Sequence, residues 1–452
     1  VKRFSGKGDK AGPTPRLDIR NLRVIGDTLI GPVEARGRVA MRGPDAIEIE
    51  LTAPAARLGF AGAKLQLAGA ELRANVKGDV LSGRISLDLA KFEAPGTQLT
   101  DVRLDLAIDQ SAGVLTGKGK ASAREVSLKD ARLVEAQADA GVESAAIDFS
   151  DFTFERWLAG LSTLSLKASL GEGSLSGVSW ASGVLTADVG AGGAHVPGGP
   201  SGGVLKFVGE KVSHKNGAVG QLTVEGEIVL TDGAAGGGGR AFTASGVARA
   251  KGAALSKAMR DDVQDLMQAP FKAALPTFAA AAARSVSRGA ESFAVEAPWS
   301  FRMDDGGYDV SMLTGAALSA KSGLNAVLTA TGSNAQVFTW SDRAKADTRV
   351  TGVEAPKAVG WNAAGTLKVS GGGAPAITLD LASAAGDGDN LSMAGAARLL
   401  AWKVGDDTLA LEASGLEFDN AKAGGRAAGE VTGRLDGGLA GGVWKAARAS
   451  GK

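Results

Sequence analysis

His195 and His214 are the only histidines among 452 residues, and cysteine is absent altogether. Without cysteine there are no disulfide staples, no thiolate metal sites, no iron–sulfur clusters and no thiol nucleophile. His195 lies in a glycine-rich stretch and His214 stands just before the turn signal Lys215-Asn216-Gly217, so neither has the neighbours of a general base or metal ligand. Gly236-Gly237-Gly238-Gly239-Arg240 lacks the Lys-Ser/Thr that a phosphate loop requires, and Gly190-Ala191-Gly192-Gly193 leaves the dinucleotide pattern at His195. Asp387-Gly388-Asp389-Asn390 offers calcium-type oxygens, but no Glu follows at the spacing that closes an EF-hand loop. One sequon, Asn390-Leu391-Ser392, is expected by chance in a chain of this length. These residues predict no enzyme, no cofactor and no metal.

The bulk composition points the same way. Lys and Arg number 50 against 49 Asp and Glu, spread without blocks, so no clustered basic face exists to bind nucleic acid. Apolar content of 44% and charged content of 22% exclude a disordered chain. No apolar run reaches 18 residues, so nothing is expected to span a bilayer as a helix. The chain begins at Val1 without an apolar signal core, and the expectation is an excised part of a longer protein whose anchor or export signal lies upstream.

What remains is patterning, and it has period two. Ile85, Leu87 and Leu89 alternate with polar residues, as do Leu104, Leu106 and Ile108, Leu164 and Leu166, Leu222, Val224 and Ile228, and Ile377, Leu379 and Leu381. Each segment predicts a strand with one aliphatic and one polar face, an antiparallel habit. Turn signals such as Lys77-Gly78-Asp79, Gly171-Glu172-Gly173 and Asp304-Asp305-Gly306-Gly307 punctuate these runs. At roughly 12 to 16 residues per strand and turn, some 25 to 35 strands result. Alternation stops from Ala253 to about Phe293, where Leu255, Met259, Val263 and Leu266 fall on one helical face. Pro270 should end that helix, and Pro276 should start a second one over Thr277 to Arg288, with Gly289 as its stop. A shorter helix is expected at Phe154–Leu161, and flexible loops at Gly190–Gly203 and Asp232–Arg240. The predicted organisation is a β-sheet groove over 1–250, a helical insert over 251–293 and a continuation of the sheet over 294–452.

A degenerate unit of form apolar–x–apolar–x–Asn/Asp–apolar–basic recurs at Leu17–Arg23, Val126–Arg132 and Leu416–Lys422, with a partial copy at Leu99–Arg103. A second unit, aliphatic-Leu-Ser/Thr-Gly, occurs at Val80–Gly83, Val114–Gly117 and Met312–Gly315. No fixed period links the copies, which argues against a solenoid of identical repeats and for one strand-and-turn module reused. In these segments and its long succession of alternating strands, the chain resembles the AsmA-like proteins of Gram-negative envelopes, of the TamB, YhdP and YdbH type. The resemblance implies a mostly β, elongated, twisted antiparallel sheet of many short strands, curled into a U-shaped apolar groove with a helical insert. It further implies a periplasmic protein tethered to the inner membrane, carrying phospholipid toward an outer-membrane component in outer-membrane biogenesis.

The physics of such a groove stands apart from the resemblance. A phospholipid has roughly 32 tail methylenes, each costing about 0.8 kcal/mol to expose, so leaving a membrane faces a barrier near 25 kcal/mol. A continuous aliphatic trough removes most of it without chemistry. On this expectation Ile85, Leu87, Leu89, Leu104, Leu106, Ile108, Leu164, Leu166, Leu222, Val224, Ile228, Ile377, Leu379 and Leu381 line the trough. Leu255, Met259, Val263 and Leu266 form a candidate gate helix docked on it. The competing interpretation is a β-sandwich core, with the same residues packed on a second sheet. A functional alternative is an extracellular β-helical adhesin or autotransporter passenger, which suits the Gly, Ala, Ser and Thr content and the lack of cysteine.

Overall fold

The computed structural model describes residues 16–28, 31–43, 46–60, 63–78, 80–145, 161–190, 201–232, 240–268, 276–304, 307–330, 335–344, 357–373, 375–387, 390–419, 426–436 and 442–446. The helix expected at Phe154–Leu161 and most of the two expected glycine loops lie outside these residues, as does His195. Among the described residues the chain is mostly β, 82% strand, in one large antiparallel sheet with two helices. Strands are numbered β1 (Leu17–Thr28) to β27 (Gly442–Ala446) in chain order, within the predicted range of strand number. Their lengths run from 3 residues to 16. Two compact units divide the chain, residues 1–209 and 210–452.

In the first unit β1 pairs with β2 (Gly31–Gly43), β2 with β3 (Ala46–Ala53), and β3 with β5 (Ala63–Lys77), always antiparallel. The meander continues through β6 (Val80–Ala94), β7 (Thr97–Ser111), β8 (Val114–Leu128), β9 (Ala131–Ala145) and β10 (Leu161–Leu170) to β13 (Ser182–Val189). Two-residue connections suffice because neighbours are antiparallel, and Gly78, Gly96 and Gly113 supply the positive φ that such turns demand.

The alternation has one systematic break. Leu67 and Ala70, Leu89 and Phe92, Leu99 and Val102, Ala123 and Val126, Leu133 and Ala136 are each spaced by three rather than two. Each step carries an extra residue, and the extra residues of β6 to β9 fall at one level, because Leu89 opposes Val102, Ala123 opposes Ala136 and Glu125 opposes Val134. Asp101 and Glu135, at this level, adopt left-handed backbone with φ of 48° and 53°. A bulge bends its strand, so aligned bulges crease the sheet along one line. The crease restores inward parity on both sides, and each of these strands keeps a single apolar face along its length.

The second unit repeats the plan. Strand β15 (Gly217–Asp232) pairs with β16 (Arg240–Leu255) and β16 with β17 (Phe293–Asp304). One half of β17 then meets β18 (Gly307–Leu313) and the other β19 (Ala316–Ala320). These lead through β21 (Gln336–Ala344) and β20 (Asn325–Thr329), side by side, onto β22 (Lys357–Ser370). From there β23 (Ile377–Asp387), β24 (Asn390–Val404), β25 (Asp407–Asp419), β26 (Arg426–Asp436) and β27 follow in sequence.

Between β16 and β17 stand α1 (Lys257–Gln268) and α2 (Pro276–Ala290). Pro276 opens α2 as expected, since a first-turn residue needs no N–H partner. The start of α1 corrects the predicted gate stripe. Leu255 is the last residue of β16, opposite Gly217, and not a helical residue. Ser256 explains the boundary: its Oγ accepts from Met259 N at 3.3 Å and its carbonyl from Arg260 N at 2.9 Å. That is an N-cap, which fixes the first helical residue at Lys257.

The recurrent sequence unit does not map onto one structural module. In Leu17–Arg23 it holds a register irregularity inside β1, whereas in Val126–Arg132 its Lys129-Asp130 forms the β8–β9 turn. The third copy, Leu416–Lys422, begins in β25 and runs beyond the described residues.

Candidate functional site

The cross-strand register assembles the predicted aliphatic residues into continuous rows. In the first unit Leu22, Gly37, Leu51, Leu72, Ile85, Leu106, Gly119, Ala140, Leu166 and Ala187 stand opposite one another in turn. This row crosses ten strands, about 43 Å at about 4.8 Å per strand. A neighbouring row joins Ala70, Leu87, Leu104, Ala121, Ala138, Ala168 and Leu185, and the next joins Ala74, Gly83, Ile108, Gly117, Val142, Leu164 and Val189. All eight predicted groove residues of this unit therefore share one face.

That face is open. Leu87, Leu104, Leu106, Ile108, Leu164 and Leu166 are half-buried, and Ile85 is 38% exposed. Ala121 and Ala140, on the floor between the leucine ridges, are exposed. A sandwich core would bury every one of them. Of the predicted residues of this unit Leu89 alone is buried, opposite Leu67 at the crease, while Ala168 and Val189 of the same rows are also buried.

The opposite face carries the charges. Glu71, Ser86, Asp105, Lys120, Asp139, Lys167 and Thr186 form one row across it. Arg84 Nε donates to Asp105 Oδ1 at 2.8 Å, and its Nη2 reaches the other carboxylate oxygen. This hydrogen bonding, helped by the nearby charge of Lys120, holds the Asp105 carboxyl below the usual range. Near the sheet edge Arg23 Nη2 and Arg36 Nε each donate to Glu34 at 2.8 Å, and the two pull its pKa down to about 2. Such exposed pairs stabilise the fold little, but they fix which face meets water. Asp88 and Arg103, 3.7 Å apart, belong to the same face.

The second unit sorts its residues likewise but with different side chains. One row runs through Leu222, Ala250, Val295, Leu318, Ala326, Val369, Ile377, Leu399, Leu411, Gly433 and Trp444. Of the predicted residues, Leu222, Val224, Ile377, Leu379 and Leu381 are half-buried and Ile228 is buried. Nearer the other strand ends the row is aromatic: Ile228, Ala244, Phe301, Val310, Trp340, Trp361, Gly386 and Leu391. Phe338 stacks on Trp361 with centroids 5.8 Å apart, and Phe301 on Tyr308 at 6.1 Å. Two tryptophans fold over glycines: a methyl on Gly386 of the adjoining strand would lie 2.6 Å from Trp361, and one on Gly226, two strands away beyond Gly246, 2.7 Å from Trp299. Overall aromatic scarcity hid this concentration from composition.

The helical insert covers the other end of this face, through residues that the sequence reading missed. Phe278, Ala279 and Ala282 of α2 pack with Leu399, Trp402 and Leu409 into one buried cluster. Phe278 meets Trp402 edge-on, centroids 5.2 Å apart. Met259 and Val263 of the predicted stripe are half-buried on α1, which packs on α2, while the side chain of Leu266 lies outside the described ones. The buried contact with the sheet thus belongs to the second helix. A lone Phe in an alanine run was the available signal.

Among the described residues no group of three or more His, Asp or Glu is placed to hold a metal, and no helix is long and apolar enough to cross a membrane. Comparison with models of known families and with curated proteins finds no match.

Proposed function

We propose that this protein is a non-enzymatic lipid conductor, whose apolar face carries the acyl tails of phospholipids while their headgroups stay in water. The observation that carries it is the ten-strand apolar row of the first unit, half-exposed along its length among the described residues. Contiguous exposed apolar surface of this extent marks an interaction site rather than chance. Leu, Ile, Ala and Gly in successive rows offer a surface without polar atoms, on which a tail meets no directional contacts and slides. No nucleophile, base or metal cluster is needed, because the barrier to lipid transfer is desolvation alone.

The resemblance to AsmA-like envelope proteins supports a periplasmic setting between an inner-membrane tether and an outer-membrane acceptor. A β-helical adhesin is disfavoured by the pairing, since coils of a β-helix are parallel and every pair named above is antiparallel. Lipid mass spectrometry on the purified full chain tests the proposal. Co-purifying phospholipid in at least equimolar amount is expected; a lipid-free chain that takes up none from vesicles would refute it.

A further inference from the structure

The hairpin of α1 and α2 is inserted between two strands that pair directly with each other. Ala250 opposes Val295 and Ala253 opposes Phe293 across the insertion, so the ladder closes beneath the hairpin and does not depend on it. The C-terminal end of α2 sits over the β19–β20 turn, where a methyl on Gly289 would lie 2.7 Å from Leu324. Its N-terminal end sits on β24 and β25 through Phe278. At about 1.5 Å per residue the 15-residue α2 is about 22 Å long, matching the four strand spacings from β20 to β25. The helix therefore runs across the strands, in the direction of the apolar rows. It occupies surface that, six to seven residues further along the same strands, is more open: Met393 and Phe418 are each 37% exposed.

We infer that the hairpin is a displaceable cover, and that Phe278 and a lipid tail compete for the Leu399–Trp402–Leu409 seat. The inference rests on the lipid-conducting function proposed above. Phe278 is 1% exposed and Leu409 fully buried, so the seat is filled by the hairpin in this structure. The hairpin contributes Phe278, Ala279 and Ala282 to that cluster. An acyl chain can replace such a contact, because it offers the same apolar area with no polar group to satisfy. A ligand whose competent state is rarely populated binds weakly, and removing the competing contact strengthens it.

The absence of native cysteine allows a clean test on the full chain. Thr277→Cys carries a bimane label beside Phe278, quenched by Trp402 and released from quenching in a Trp402→Phe background. Radiolabelled palmitate is the probe. Palmitate should dequench the bimane, Phe278→Ala should bind palmitate about tenfold more tightly than wild type, and Phe278→Leu should fall between. Phe278→Leu keeps an apolar side chain in the seat and so tests the same competition if the alanine variant does not fold. Palmitate binding without dequenching would overturn the cover while leaving the lipid function standing. Palmitate affinity unchanged by Phe278→Ala and Phe278→Leu would do the same. No palmitate binding by wild type or by either variant would overturn both.

Discussion

The two units solve one problem, a sheet with a greasy face, in opposite ways. The first leaves its face bare and builds it from Leu, Ile, Ala and Gly. The second builds its face with aromatic rings and lays a helix across one end, creating a cluster in which Phe278, Ala282 and Leu409 lose essentially all contact with water. An isolated sheet with a bare apolar face would normally aggregate or acquire a second layer. That no second layer of described residues buries this face of the first unit, over ten strands, is the physical reason to propose an apolar ligand for it. Within the second unit, covered and bare surface lie on the same strands, so the helix is what distinguishes them.

Identical substitutions should therefore behave differently in the two units. Leu409→Asp buries a charge at a fully enclosed position and should destabilise the second unit by about 4 kcal/mol or more. Leu104→Asp, on the open face, should cost about 1 kcal/mol, because water reaches the carboxylate. Urea unfolding of both variants checks the pair; equal losses would mean that the first unit's face is covered after all.

Glycine substitutions give the next largest contrast. A methyl on Gly246 would sit 1.9 Å from the Glu225 carbonyl oxygen, and Gly246→Ala should cost about 2 kcal/mol. A methyl on Gly119 meets Leu106 Cδ1 at 3.5 Å and the Asp105 carbonyl oxygen at 3.8 Å, both ordinary contacts, so Gly119→Ala should change stability by less than about 0.5 kcal/mol. Thermal denaturation of the two variants tests it. At the crease, Glu135 holds a left-handed backbone, so Glu135→Gly should stabilise the first unit by about 1 kcal/mol. A loss instead would show that the Glu135 side chain outweighs its backbone strain.

The smallest effect is electrostatic. Asp105 is depressed by Arg84, so its contribution is fully present above the ordinary carboxylate pKa and is lost as pH falls through the lower folded value. The melting temperature of the first unit should drop on acidification below about pH 4, and Arg84→Gln should flatten that drop. Because both groups face solvent, the change should also shrink in high salt.

Most of the fold was legible because a half-wet antiparallel sheet writes its faces into the sequence with period two. Ile85, Leu87, Leu104, Leu106 and Leu166 were found from alternation alone, and the register places them together. Three things escaped. The aligned bulges were present as steps of three, such as Leu99 to Val102, but a single step looks like noise until four neighbouring strands make it at the same level. The helix start was misjudged by four residues, Ala253 against Lys257, because Leu255 suits both a helical stripe and a strand end, and only the Ser256 cap separates them. The seat of α2 could not be read at all, since Trp402 and Leu409 lie more than 100 residues from Phe278 and their proximity depends on how many strands the helix spans.

Photo-crosslinking from a photoreactive amino acid at position 104, in protein expressed in a Gram-negative host, tests the central claim most directly. Leu104 lies in the middle of the bare apolar face of the first unit, flanked across the strands by Leu87 and Ala121. If that face carries acyl tails, irradiation should yield adducts to phospholipid, and the same probe at Asp105 on the opposite face should yield none. Adducts from position 104 to protein alone would contradict the account.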